Sequence, residues 1–190
     1  EIHCSDDPDG IGFPVTAGQS YWILVGVWST TANPTTPYAI TFSELASPVN
    51  DTACTAAPIT SGMNSTVDAR TAGGDAPPAT CTSTANSAFG TRHAIWYSFA
   101  STPTGGLLNV NETSTSGVVM QLFSGTSCND LSVVTCTITQ NANFTLAANT
   151  NYWLSIGFND LDNMPTATGS YNATFTFTPP PTNDVACSAE

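Results

Sequence analysis

Phe13-Pro-Val-Thr-Ala-Gly-Gln-Ser-Tyr21-Trp22-Ile-Leu-Val25-Gly26-Val27 and Phe144-Thr-Leu-Ala-Ala-Asn-Thr-Asn-Tyr152-Trp153-Leu-Ser-Ile156-Gly157-Phe158 share one pattern, 131 residues apart. Each has turn-forming Gly, Asn or Ser residues followed by a short apolar run rich in aromatic and β-branched side chains, which is how a strand reads. Two further blocks follow in the same order. Tyr38-Ala-Ile-Thr-Phe42 matches Tyr171-Asn-Ala-Thr-Phe175, and Asn50-Asp51-Thr52-Ala53-Cys54 matches Asn183-Asp184-Val-Ala-Cys187, both at an offset of 133. Three blocks in one order define a repeat of about 133 residues. The frame makes residues 1–47 the C-terminal part of a preceding repeat, 50–181 one complete repeat, and 183–190 the start of a following one. The natural polypeptide is therefore expected to be longer at both ends.

Inside the complete repeat the strands read at residues 93–99, 106–111, 118–123, 131–136, 143–146, 152–158 and 171–177, with one or two short strands between Ala56 and Thr71. Composition points the same way. The chain carries 31 Thr and 19 Ser in 190 residues, and Thr suits the solvent face of a strand. Apolar residues make up 41%, enough to exclude a disordered low-charge chain. No apolar stripe of helical period stands out. The expected class is all-β, a two-sheet sandwich of jelly-roll or immunoglobulin-like topology repeated in tandem. Ser47-Pro48-Val49 and Thr178-Pro179-Pro180-Pro181-Thr182 fall at the junctions, where proline makes a short stiff spacer.

Charge removes several functions. Lys is absent, Arg70 and Arg92 are the basic residues besides two His, and the net charge is −12. Nucleic acid is excluded as a partner, because phosphate neutralisation needs a basic face. No apolar run reaches the roughly 18 residues of a membrane helix, so no membrane insertion is expected. His3 and His93 are far apart in sequence. With no Lys, and Glu44, Glu112 and the Asp residues forming no evident pair, no catalytic residue is assigned and the chain is not expected to be an enzyme. Lys–Asn cross-links between or within domains are excluded for the same want of lysine.

Six cysteines remain. The frame sets Cys4 in the place of Cys136 and Cys187 in the place of Cys54, so the complete repeat owns Cys54, Cys81, Cys128 and Cys136. The expected bridges are Cys54–Cys81 and the local Cys128–Cys136. Cys4 and Cys187 are expected to be unpaired in this chain. Stable disulfides imply an oxidising setting, extracellular or at the cell surface. No Cys or His pair has zinc spacing, and no cofactor is assigned. Calcium is the one ion considered, at Asp6, Asp7 and Asp9 on one turn and at Asp160 and Asp162 on another, against the plain liking of Asp for turns. Sequons stand at Asn50, Asn64, Asn111, Asn143 and Asn172, each a place where a secreted chain can carry a glycan.

The ordered blocks Asn50-Asp51-Thr52-Ala53-Cys54, Ile95-Trp96-Tyr97-Ser98-Phe99, Leu122-Phe123-Ser124-Gly125 with Cys128 and Cys136, and Gly169-Ser-Tyr171 resemble the tandem β-sandwich repeats of Bacteroidota surface proteins. They are also similar to the bacterial pre-peptidase C-terminal domain, a jelly roll. The resemblance implies a spacer, stalk, adhesin or enzyme appendage, and O-glycosylation at Thr52 within Asp51-Thr52-Ala53. Two functions are carried forward. One is a structural repeat of an extracellular fibre, stalk or adhesin, whose partners are neighbouring copies end to end. The other is a carbohydrate-binding module, in tandem or appended to a secreted enzyme, whose partners are glycans. An exposed row of aromatics on one sheet would favour the second. Aromatics buried between units would favour the first.

Overall fold

The computed structural model describes residues 15, 18–26, 40–44, 46–69, 71–73, 92–113, 118–158 and 170–181. The chain divides into two compact units, Glu1–Ala46 and Ser47–Glu190. The described residues of the first form no strand.

The described residues of the second unit form a sandwich of nine strands: β1 (Ala57–Pro58), β2 (Asn64–Asp68), β3 (Arg92–Ala100), β4 (Gly106–Glu112), β5 (Val118–Gly125), β6 (Leu131–Thr137), β7 (Asn141–Leu146), β8 (Asn151–Phe158) and β9 (Ser170–Thr178). One sheet has the order β1-β3-β8-β5-β6 and the other β2-β9-β4-β7. From β2 to β9 the chain crosses between sheets at every step except the β5–β6 hairpin, and every pair among these eight strands is antiparallel. That order is a jelly roll, which decides between the two expected topologies. β1 adds a short parallel edge to β3, at Ala57↔Tyr97.

Period-two alternation builds the core. β7 is the plainest case: Ala142, Phe144 and Leu146 are buried, while Asn141, Asn143 and Thr145 are exposed. Ile95 and Tyr97 from β3, Leu108 and Val110 from β4, and Met120 and Leu122 from β5 meet Leu154 and Ile156 of β8 and Tyr171 and Phe175 of β9 between the sheets. Tyr97 and Phe175 touch across the sheets at 4.8 Å between ring centroids. Phe99 packs on Tyr152 at 5.4 Å and on Phe177 at 5.2 Å. Gly105, at φ +75°, turns the chain into β4 against the Leu146 carbonyl, where an added Cβ would collide with the backbone.

Two tyrosines carry polar tips into this core. The Tyr97 hydroxyl lies 2.9 Å from Ser65 Oγ, and Tyr171 donates to the His93 carbonyl at 3.2 Å. Burial raises the Tyr97 phenol above its ordinary value, against the opposing hydrogen bonds from Ser65 and Asn50. Burial raises Tyr171 further, helped by the nearby Glu112 and then Tyr97. A phenol whose folded value lies above its unfolded value holds its proton better in the native state. Its contribution to stability is complete below about pH 10 and is lost as pH rises through the raised values. We expect these two residues to ionise only together with unfolding above about pH 10. Absorbance at 295 nm and far-ultraviolet circular dichroism, followed in one alkaline titration, should therefore show the last phenolate step coinciding with loss of the sheet signal.

Candidate functional site

Where the chain enters and leaves the sandwich is set by the strand register. Ser47 donates to the Thr71 carbonyl at 3.2 Å, and the Gly73 carbonyl accepts from Ala94 N at 3.1 Å. Both lie at the end of the sandwich marked by the Asp68↔Ser170 pair. The exit, Thr178, pairs with Leu107 at the opposite end. β9 alone spans nine residues between them, about 30 Å of extended chain. Entry and exit are thus one strand length apart. Beside the exit a cavity of about 410 Å³ opens, lined by Phe99, Leu107, Leu146, Phe177 and Pro179 among others.

The entry segment is clasped through Asn50-Asp51-Thr52-Ala53-Cys54. The Asn50 carbonyl accepts from Trp96 N at 2.8 Å, and its amide donates back to the Trp96 carbonyl at 3.0 Å. Asp51 accepts from Gly73 N. Ala53–Thr55 form a 3-10 turn, and Cys54 in it is bonded to Cys128 in the turn between β5 and β6, with Cα atoms 4.9 Å apart. The turn covers the outer face of the five-stranded sheet. Trp96 and Phe123 are buried there with ring centroids 5.3 Å apart, and Ala53, Leu131 and Trp153 pack around them. A cavity of about 400 Å³ lies alongside, bounded by Thr52, Cys54, Trp96, Cys128 and Asn129 among others.

This corrects both expected disulfides. Cys54 pairs with Cys128, not Cys81. Cys128 cannot reach Cys136 because β6 is paired with β5 from Leu131 to Thr137 and carries Cys136 away from the turn. Gly125 faces Leu131 and Gln121 faces Cys136, so Cys136 lies four strand positions from the hairpin's end. That is about 13 Å, when a disulfide needs Cα atoms within about 7 Å. Cys136 is itself disulfide-bonded. Cys4, Cys81 and Cys187 lie outside the described residues.

The aromatics sort as alternation requires but form no exposed row among the described residues of this unit. Tyr97 and Tyr152 face the core, and Trp96 and Trp153 face the other side, where Trp96 is covered by the unit's own 3-10 turn. The fibre reading expected burial between units, so burial inside one unit decides for neither function.

The sequons have a structural origin. Asn64, Asn111, Asn143 and Asn172 all stand on the outer face of the four-stranded sheet, because Asn-x-Thr is what a polar face looks like at period two. Their side chains bond across strands. Thr66 donates to Asn172 at 2.7 Å, Thr174 to Asn64 at 2.7 Å, and Asn109 to Asn141 and Asn143 at 2.8 and 3.0 Å. Asn50 is 2% exposed and committed to Trp96, which leaves no space for a glycan. Thr52 is exposed beside the disulfide turn.

Other sequence candidates are quickly placed. Asp6, Asp7, Asp9, Asp160 and Asp162 lie outside the described residues, as does His3. Among the described residues no three His, Cys, Asp or Glu side chains come together as metal ligands, and no helix is long and apolar enough to cross a membrane. His93 sits at a register shift of β3 with its carbonyl on Tyr171. Glu112 is buried and accepts from Asn172 N at 3.3 Å.

Fold and faces together define a β-sandwich module with polar outer positions on one sheet and a disulfide-clasped cover on the other. Residues 49–172 match the family model described as galactose binding domain-like, associated with T9SS. The chain belongs to that family. The association fits a β-sandwich of a secreted or cell-surface Bacteroidota protein. Comparison with curated proteins and with solved structures finds no significant match.

Peptide mapping without reduction should recover Cys54 linked to Cys128. Because the bridge closes a 74-residue separation, replacing both cysteines by Ser should lower unfolding free energy by about 4 kcal/mol in urea denaturation.

Proposed function

We propose that the chain is a structural repeat of an extracellular fibre, stalk or adhesin and has no catalytic activity. The observation that carries this is the placement of entry and exit at opposite ends of the sandwich. A Pro-rich exit then sends the chain onward along the strand axis. Copies joined this way stack in a line, each advancing on the order of 40 Å, the dimension of a unit this size. The partners in this reading are neighbouring copies of the same repeat, end to end, with neither nucleic acid nor a bilayer core involved. The neutral Asn and Thr face, the low charge and the disulfide support a surface made to persist outside the cell.

The family's description supports a second reading, carbohydrate binding. The cavity beside Trp96, with the Thr52 and Asn129 side chains at its rim, is where a sugar would find an aromatic edge and polar groups together.

Electron microscopy of the native secreted material separates the two. Filaments with an axial repeat of about 40 Å are the expected result. Discrete particles, together with retention on an immobilised galactoside lost in Asn129→Ala, would overturn the structural reading in favour of binding.

A further inference from the structure

The 3-10 turn over Trp96 is a strap with three fastenings. Its N-terminal end is held where Asn50 exchanges two hydrogen bonds with Trp96 and Asp51 accepts from Gly73 N. Its C-terminal end is held where β1 pairs with β3 and Ile59 N donates to the Ser98 carbonyl at 3.0 Å. The third fastening is the Cys54–Cys128 bond, which ties the middle of the strap to the turn between β5 and β6.

The strap's own hydrogen bonds close on itself. Thr55 N and Thr55 Oγ1 donate to the Thr52 carbonyl at 3.1 and 3.2 Å. Thr52 N donates to Thr55 Oγ1 at 3.1 Å, and Ala56 N to the Ala53 carbonyl at 3.4 Å. Ser98 Oγ reaches the Ala56 carbonyl at 3.5 Å, but that contact lies beside β1 and belongs to the C-terminal fastening. Cys54 Sγ stands 3.5 Å from Asn129 Oδ1 and carries no proton to donate while it is bonded to Cys128. Among the described residues, what else holds the strap down is the packing of Ala53 and Ala56 on Trp96 and Phe123. Two methyl groups bury little apolar surface.

The bond is also within reach of solutes. Cys54 is exposed and Cys128 half-buried. The cavity of about 400 Å³ bounded by both cysteines, Thr52, Asn129 and Trp96 opens beside it. Exposed disulfides are the labile ones, because a thiolate must approach the sulfur it attacks. Beneath the strap Trp96 is 2% and Phe123 1% exposed, so the bond stands between solvent and two aromatic rings.

We propose that Cys54–Cys128 is a thiol–disulfide exchange site, and that a low-molecular-weight thiol opens the strap over Trp96. The thiolate attacks Cys54 Sγ, forming a mixed disulfide there and releasing Cys128 as a thiolate. A second thiol attacks the mixed disulfide. Two small thiols leave as one disulfide, and both cysteines are reduced. Residues 52–56 then move away from the sheet between their two remaining fastenings. The ladders joining β3, β8 and β5 do not pass through the strap, so the sandwich persists. The strap is closed in an oxidising setting. In a reducing one it uncovers Trp96 and Phe123 as an aromatic surface, whether the module serves as a spacer or as a binder.

The test treats the full chain of 190 residues with reduced glutathione in the absence of denaturant. Alkylation and peptide mapping follow Cys54 and Cys128, hydrogen exchange follows the strap, acrylamide quenching follows tryptophan exposure, and far-ultraviolet circular dichroism follows the sheets. Thiol should reduce the bond and speed exchange at Thr55 and Ala56 by about 10-fold or more while β3 and β8 stay protected. Quenching should rise in the parent chain and not in Trp96→Phe. The double variant Cys54→Ser, Cys128→Ser should show the open strap without thiol and no response to it. A bond left intact by glutathione would overturn the proposal, as would reduction with no change in exchange or quenching. Reduction with loss of the sheet signal would also overturn it, since the bond would then hold the fold rather than the strap. A thiol response that survives in the double variant would assign the effect to another disulfide and sink the exchange site.

Discussion

Everything in the sandwich hangs on the two central strands. β8 and β9 each take hydrogen bonds from both sides and present Leu154, Ile156, Tyr171 and Phe175 to the opposite sheet. A strand so placed has both backbone edges hydrogen-bonded, while its faces still alternate: β9 turns Tyr171 and Phe175 inward and Asn172 and Thr174 outward. It also cannot fold alone, because both of its edges need partners. Tyr21-Trp22 and Tyr152-Trp153 open the same kind of segment in two settings. In the complete unit that segment is ordered between β3 and β5. In the first unit its apolar side chains face solvent.

The second constraint is the clasp at the entry. Asn50, Asp51 and Cys54 each fasten a different segment: the backbone at Trp96, the loop at Gly73 and the turn between β5 and β6. Five consecutive residues thereby close one end of the outer sheet face over Trp96 and Phe123. The same block recurs at Asn183, Asp184 and Cys187. Its geometry accounts for the spacing, since the 3-10 turn after Asp51 brings Cys54 onto Cys128 while Asn50 stays paired with β3.

The outer face of the four-stranded sheet supplies the contrast. Asn109 bonds to Asn141 and Asn143, Thr66 to Asn172 and Thr174 to Asn64, with no charged side chain among these seven. Such a surface is soluble without lysine. The family assignment and the opposed chain ends bear on the same question from independent directions, one from sequence likeness and one from topology.

Sequence alone determined the class and the strand positions, because alternation and turn chemistry are local and read directly along the chain. β7, with Asn141, Asn143 and Thr145 out and Ala142, Phe144 and Leu146 in, could be placed without a structure. It also determined which aromatic of each pair faces in, up to the choice of side. Topology was beyond it, since jelly-roll and immunoglobulin-like sandwiches use similar strands and differ only in which ones pair. The disulfides were misread for the same reason. Cys128 and Cys136 are close along the chain, but an extended paired strand carries them apart, whereas a sequence separation of 74 between Cys54 and Cys128 folds back to bring those two together. Nor could the sequence tell that four of the sequons share one outer sheet face while Asn50 is a buried hydrogen-bonding partner of Trp96. Proximity between distant residues is a property of strand pairing, and only the tertiary structure supplies it.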